Sequence, residues 1–491
     1  MKKRILNIIL IGAIGLTSLN CTDLLEDVNP DALQENSQTL KDVTVLERLL
    51  INTYQTMPVG QESFVQAMMS DEVRIASTNN GSGVFLWGRT FTSQDGDVET
   101  LWNNSYRTVF TANKVLDNID NVTNNGANGL NKNQIKAEAL GMRAFAHFII
   151  LKNFSPKYSP NALGCAYMKS ANSENVYDTP PRSNMQTSYQ YVLDDLNAAL
   201  ALNPSNLLNM RMSKDALNAI KSLVYLEMGD NPNAITFATA AIGTRVLKGG
   251  PELPTVPPNP PSTVKQTEIT NIWTDPITSA GTNAAPIDGS EVIFQQINIA
   301  GAASLTMGAL YRTPSLGVLW NASTTIKAKY NAGDYRIAAY YRTFGTPTSL
   351  TTVYNKYYGP AATPGIANVK AIRLAEMILA RAEAKAKTGD LAGAFADYDL
   401  IRVSRNAGAS VAFTSTQDAI DKILDERFRE LPLEGKRLID LKRNGKIVTR
   451  LGSDTTAAYP NTSFPNVDKM TLPIPYSEIF ANPNMQQNVG W

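Results

Sequence analysis

The stretch SKDALNAIKSLVYLEMGDNPNAITFATAAI, residues 213–242, decides the fold. Ala216, Ala219, Ile220, Leu223 and Val224 fall at i, i+3, i+4, i+7 and i+8, the apolar stripe of an amphipathic helix. Ser213 stands where such a helix takes its cap, and Gly229-Asp230 ends it. Asn233 to Ile242 supplies a second helix after the turn. Counted from Gly229, Ala234, Ala238 and Ala241 stand at +5, +9 and +12, and Tyr225 four before. Small residues at those offsets let two helix axes approach closely, so the segment reads as an antiparallel helix pair.

The same spacing returns at Gly389, with Ala394 and Tyr398 at +5 and +9 and Ala382 seven before. It is similar to the pattern of the 34-residue tetratricopeptide repeat. Leu140-Gly141 with Ala144 resembles the first helix of another unit, and Ala199 with Pro204 the end of its partner. Because Gly229 and Gly389 lie 160 residues apart, tandem repetition does not account for them. A mainly α, tetratricopeptide-like helix-pair superhelix, interrupted by an irregular loop-rich insertion containing short β-strands, does. Further helices are expected over Leu40–Met57, Val98–Asp120, Asn131–Phe154 (with Gln134 three residues after its cap, a capping-box spacing), Gln186–Leu202, Val369–Lys387, Leu391–Arg405 and Thr416–Leu431. Between them, prolines from Pro251 to Pro261 mark an extended loop, and Gly, Thr, Ser and Tyr dominate 269–364, with a short strand over Glu291–Ile299. The expected organisation is a signal segment 1–20, a helical region 21–246, an irregular ligand-facing region 247–368, and a region 369–491 that completes the scaffold.

Composition narrows the function. The 491 residues carry 45 Lys+Arg against 44 Asp+Glu, so no basic field exists to hold a polyphosphate, and nucleic acid is excluded as a partner. Abundant Asn, Ser, Thr, Tyr and Pro between the charged segments suit neutral, hydroxyl-rich or peptidic ligands. The single histidine, His147, and two cysteines cannot build a Cys/His zinc site. No cofactor or metal motif is found, and His147, set among Phe145, Phe148 and Ile149, reads as a core residue.

The leader is informative. Lys2, Lys3 and Arg4 precede an apolar run from Ile5 to Leu16, too short to span a bilayer and shaped as a secretory signal. It ends in Thr17-Ser18-Leu19-Asn20-Cys21, which resembles a bacterial lipoprotein processing site. Cleavage there leaves Cys21 as an acylated N-terminus, and several acyl chains anchor stably where one does not. Cys165 is then left without a disulfide partner. Asp23, Glu26 and Asp27 resemble a surface-export tag.

The C-terminal third carries a family resemblance. Asp425-Glu426-Arg427-Phe428-Arg429-Glu430-Leu431, Glu434-Gly435-Lys436-Arg437 and Asp440-Leu441-Lys442-Arg443-Asn444-Gly445-Lys446 resemble the signature of SusD/RagB outer-membrane lipoproteins. The tail Leu472-Pro473-Ile474-Pro475-Tyr476-Ser477-Glu478-Ile479, with Asn482-Pro483 through Gly490-Trp491, resembles that family's ending. Trp102 with Tyr106, Ala112-Asn113, Arg143-Ala144-Phe145 and the Leu374–Ala384 helix agree. From the residues alone, the alternating charges of the C-terminal string are structural, arginines gripping carboxylates and loop carbonyls to lock irregular backbone to a helix.

The resemblance implies a surface lipoprotein of the outer membrane that captures glycans, or in some members peptides, for a SusC-type TonB-dependent transporter, without catalysis. It implies aromatic platforms flanked by polar side chains on irregular segments. Two regions offer them, Asn79, Asn80, Phe85, Trp87 and Arg89 in one loop, and Trp273, Tyr311 and Trp320 in the insertion. A surface glycan hydrolase and a protein-recruiting helical scaffold are the rival readings. Hydrolysis needs two facing carboxyls, and the pairs Asp194-Asp195, Asp421 with Asp425, and Asp95 with Asp97 read instead as a solvated face, a helix ladder and caps.

Overall fold

The computed structural model describes residues 40–122, 131–171, 179–206, 209–249, 262–273, 291–298, 307, 312–313, 317–346, 349–357 and 367–491. In chain order the elements are α1 (Val43–Thr56), α2 (Val59–Met69), β1 (Val73–Ile75), α3 (Val84–Gly88), α4 (Gly96–Ile119), α5 (Lys132–Phe154), α6 (Met185–Ala201), α7 (Lys214–Met228), α8 (Asn231–Ile242) and α9 (Ser262–Asn271). Next come β2 (Val292–Gln296), β3 (Arg312–Thr313), β4 (Gly317–Val318), β5 (Trp320–Ala322), α10 (Thr324–Lys327), α11 (Tyr335–Tyr340), β6 (Tyr341–Thr346), β7 (Ser349–Tyr354) and β8 (Val369–Arg373). The chain closes with α12 (Leu374–Lys387), α13 (Leu391–Ser404), α14 (Thr416–Glu430), α15 (Arg437–Arg443) and α16 (Tyr476–Ala481).

The helix pair read from residues 213–242 is present as α7 and α8. Ser213 accepts from Ala216 N, and Gly229 sits at φ 79°, a left-handed cap that glycine takes without steric cost. Asp230 then caps α8. Ala234, Ala238 and Ala241 are buried, as are Ala382, Ala394 and Tyr398 of the second pair. The two pairs, far apart in sequence, pack together, α8 lying against α12. Helix contacts run without a break from α4 through α5, α6, α7, α8 and α12 to α13 and α14. The superhelix is therefore continuous, and the chain between α8 and α12 is an insertion into it. The described strands form four two-stranded antiparallel ladders, β1–β5, β2–β8, β3–β4 and β6–β7.

Two local expectations are corrected, and one helix was not anticipated. Val369–Arg373 is a strand paired with β2, not the start of a helix. All five of its residues are buried, so the alternation that betrays a half-exposed strand is missing. Asn131 does cap α5, accepting from Asn133 N, but Gln134 turns to Glu138 and accepts from Ser205 N, so no capping box closes. Helix α2 went unread because every one of its residues is buried, leaving no polar face to give a period.

The charged C-terminal string has the structural role read for it. Glu426, Glu430 and Glu434, spaced by four along α14 and the turn after it, face a buried set of cations. Glu426 takes Arg336 of α11 at 2.7 Å and Arg402 of α13 at 3.1 Å. Glu430 takes Arg405 at 2.9 Å, Arg373 at 3.2 Å and Arg336 at 3.2 Å. Glu434 holds Lys356 at 2.7 Å and Arg373 at 2.8 Å, and Glu291 closes the set on Arg373 and Arg405. The insertion is thus bolted to the superhelix by ion pairs with no access to water. Elsewhere in the string, Arg427 binds Asp440 and Arg437 binds Asp71, while Arg443 joins Glu383 and Glu227.

One buried carboxyl stands apart. Glu72 Oε1 accepts from Leu433 N, and Oε2 has no hydrogen-bond partner among the described residues. Burial, with Asp71 beside it, pushes its pKa up to about 8. The folded state therefore holds a proton that the unfolded chain releases near pH 4.5, and stability falls as pH rises from there to about 8. Glu72→Gln should abolish that slope, by up to a few kcal/mol across the window. Thermal melts of both proteins between pH 5 and 8 measure it, and parallel curves would refute it. Lys356 and Lys442, each pushed down to about 8 by burial, act in the opposite sense and above this window.

Candidate functional site

The sequence candidates separate sharply once placed. Trp87 and Trp320 have no exposed surface; their rings meet at 5.9 Å, and Trp87 Nε1 donates to Val73 O. Trp273 is equally enclosed, edge-on to Tyr340 and Tyr357 with Lys356 above it. These three tryptophans are core residues that wedge the irregular segments onto the scaffold, which corrects the expectation that they face a ligand. Tyr311 lies outside the described residues, as does Cys21. Asn79 is spent on main-chain groups, accepting from Gly81 N in its own loop and donating to Leu319 O beside β5. Asn80 is exposed, Phe85 is 59% exposed, and Arg89 is half-buried at the mouth of a pocket.

That pocket has a volume of about 510 Å³. Its walls come from both ends of the chain, Arg89, Thr90 and Phe91 after α3, and Asn461, Ser463, Phe464, Pro465, Lys469 and Trp491 from the tail. The indole of Trp491 packs against Phe91 at 5.0 Å, and its Nε1 donates to Thr471 O. The Lys469 ammonium sits 3.8 Å from the Trp491 ring centroid and donates to Gly490 O. Arg89 lays its guanidinium on Phe464, 4.5 Å from the ring centroid, and Nη1 donates to Asn461 O at 3.1 Å. Burial pulls the Arg89 pKa down to about 10, so the group is still charged near neutrality.

The short helix α3 positions these groups. Gly88 permits Tyr459 to close on its backbone, where a Cβ would stand 2.3 Å from the ring. Arg89 follows in the left-handed region at φ 59°, its N–H bonded to Leu86 O. Beyond the pocket the surface remains aromatic. Tyr476 N donates to Ser93 O, tying α16 to the same loop, and α16 presents Tyr476 and Phe480 as stacked exposed rings 6.2 Å apart. Phe91, Phe464, Trp491, Tyr476 and Phe480 were missed as site residues. For the four in the tail the sequence signal was the aromatic content of a segment that also reads as a family motif; Phe91 carried none.

The carboxylate pairs do not converge on a cleft. Asp195 is gripped by Arg143 while Asp194 pairs with Gln190 on the outer face. Asp421 meets Lys446, Asp425 meets Lys329, and Asp95 caps α4. His147 is a core residue; Nδ1 donates to Arg143 O, Nε2 accepts from Met168 N, and burial pushes its pKa down to about 3. Cys165 is buried and free, its thiol pushed up to about 12. Among the described residues no group of three or more His, Cys, Asp or Glu side chains gathers to hold a metal.

Residues 24–226 match a SusD-like family described as starch-binding and associating with the outer membrane, and residues 321–491 match the SusD family. A SusD-like protein of Formosa agariphila is 30% identical over 178 residues, 34% of this chain and 33% of that protein. The starch-binding protein SusD of Bacteroides thetaiotaomicron is 30% identical over 161 residues, 31% of this chain and 24% of its own length. The aligned stretches thus span a third or less of these relatives. A crystal structure of a SusD-superfamily protein from Bacteroides thetaiotaomicron superposes with a TM-score of 0.74 at 23% identity, covering 91% of this chain and 99% of that one, which establishes the shared fold.

Proposed function

The chain belongs to the SusD/RagB family, and from that premise we propose that it is a surface lipoprotein of the outer membrane that captures glycans and passes them to a SusC-type TonB-dependent transporter. Cys21 would carry the lipid anchor, leaving the superhelix outside the cell. The observation that carries the reading is the open pocket between Arg89 and Trp491, flanked by exposed rings at Phe85, Tyr476 and Phe480. Aromatic rings cover the apolar face of a sugar, and neighbouring polar groups select its hydroxyls. Of the carboxylates weighed for hydrolysis, Asp195, Asp421 and Asp425 are in ion pairs, Asp95 is a cap, and Asp194 and Asp97 take glutamine amides, an arrangement that favours capture over turnover.

Calorimetric titration with a panel of oligosaccharides and of peptides tests the proposal, followed by mass analysis of the recovered ligand. The expected outcome is micromolar to millimolar binding of an oligosaccharide that is returned intact, and co-purification of a TonB-dependent barrel from outer membranes. Shortened glycan in the recovered fraction, or binding confined to peptides, would overturn it.

A further inference from the structure

We infer that the pocket between Arg89 and Trp491 takes a sugar residue bearing an oxyanion, a carboxylate or a sulfate ester, with Arg89 as its anchor; this rests on the glycan-capture reading above. The whole chain is nearly neutral, yet the ionisable side chains lining this pocket are Arg89 and Lys469, with no carboxylate side chain among them. The acid that acts on Arg89 is Asp71, already gripped by Arg437 through two bonds of 2.9 Å. Among the lining side chains, then, two positive charges meet no negative one.

The geometry of the guanidinium sharpens this. Its face lies on Phe464 and Nη1 is used, but Nε and Nη2 have no acceptor among the described residues. Nε and Nη2 form the edge that meets both oxygens of a planar oxyanion in parallel bonds. Elsewhere in this molecule that same edge holds a carboxylate, Arg143 on Asp195, Arg373 on Glu434, Arg381 on Asp397 and Arg437 on Asp71. At Arg89 the matching acid is missing. Neither atom is open to water, so solvent does not supply the acceptor. Entry of an oxyanion therefore requires the exposed rim at Asn461 and Ser463 to move aside.

Arg89 occupies a left-handed position at the end of α3, where glycine is the usual residue. The buried residues Tyr357 and Leu433 share this conformation, so it fixes the course of the chain here and does not by itself mark a ligand. Trp491, packed on Phe91 and topped by Lys469, forms the opposite wall of the pocket and brings the second cation to it.

Calorimetry on the full chain tests this with length-matched oligogalacturonate, a sulfated galactan oligosaccharide and a maltooligosaccharide. The expected result is that an anionic probe binds at least ~10-fold tighter than the neutral one, weakens with added salt, and loses about 10-fold or more in Arg89→Gln. The two anionic arms separate carboxylate from sulfate. Arg89→Gly, which relaxes the backbone while deleting the anchor, must lose affinity equally, with both variants checked by thermal melting. Tighter binding of the neutral probe, or unchanged affinity in Arg89→Gln, overturns the inference and leaves the capture reading standing. Binding of none of the three, alongside no binding across the wider oligosaccharide panel, overturns both.

Discussion

Glu430→Ala should leave little correctly folded protein. Glu430 is fully buried and is the common partner of Arg336, Arg373 and Arg405, none of which has exposed surface. Removing it strands guanidinium charge where water cannot enter, and breaking one side of a buried ion pair costs about 3–5 kcal/mol. With three partners affected, the loss should reach the upper part of that range. Glu430→Gln keeps one acceptor oxygen and should fall between. Soluble yield and thermal melts report the size of the effect, and limited proteolysis reports its place. The insertion around Arg336 and Lys356 should become cleavable before the helices do, because this cluster joins the two. Melting of Glu430→Ala within a degree or two of the parent would refute the assignment.

The same cluster sets the response to acid. The surrounding arginines hold Glu426 down to about 2 and Glu430 well below the usual carboxylate range, against burial acting the other way. Both folded pKa values lie below the unfolded value near 4.5, so their contribution is complete above pH 4.5 and is lost as pH falls toward 2. This window lies below the one assigned to Glu72. A pH series on Glu72→Gln should therefore retain the acid limb and lose only the neutral one.

What the sequence disclosed followed what is local. Alanine offsets around Gly229 and Gly389 specify a helix pair because the close approach of two axes depends on residues a few positions apart. The alternating charges from Glu426 to Asp440 were legible as scaffold because such a density of unlike charges needs partners. Their partners Arg336, Lys356 and Arg373 were not legible, since they come from a short helix, a loop and a strand that only the tertiary fold brings to α14. Burial of aromatics failed for the same reason. Trp87 and Phe85 are two residues apart on one short helix, yet one is enclosed and the other is 59% exposed. Which of them faces out depends on Trp320 and Tyr459, hundreds of residues away. The pocket itself joins residues 89–91 to 461–491, and no local pattern signals that junction.

Arg450→Met should separate the scaffold from the site more directly than any change within the pocket. Arg450 is 3% exposed and has no carboxylate hydrogen-bond partner among the described residues. Its Nε donates to Ser70 O at 2.8 Å, Nη2 to Met68 O at 2.7 Å and Nη1 to Trp87 O at 2.6 Å. Two of those carbonyls end α2 and the third lies in α3, two residues before Arg89, so one guanidinium ties the Arg89 loop to the end of α2. Burial pulls its pKa down to about 9, a measure of how poorly this environment solvates the charge. Deleting it relieves that desolvation but leaves three carbonyls without donors, each worth about 1–3 kcal/mol when buried and unmet. The second effect wins, because the acceptors cannot reach water, and a net loss of ~3 kcal/mol is expected. Lysine retains charge but has no planar fork to meet carbonyls in different directions, so Arg450→Lys should recover less than half of the loss. Hydrogen exchange should quicken in residues 70–90 before the superhelix responds, and glycan affinity should fall although Arg89 is intact. Exchange that rises uniformly, or affinity that survives, would mean that Arg450 stabilises the fold without positioning the pocket.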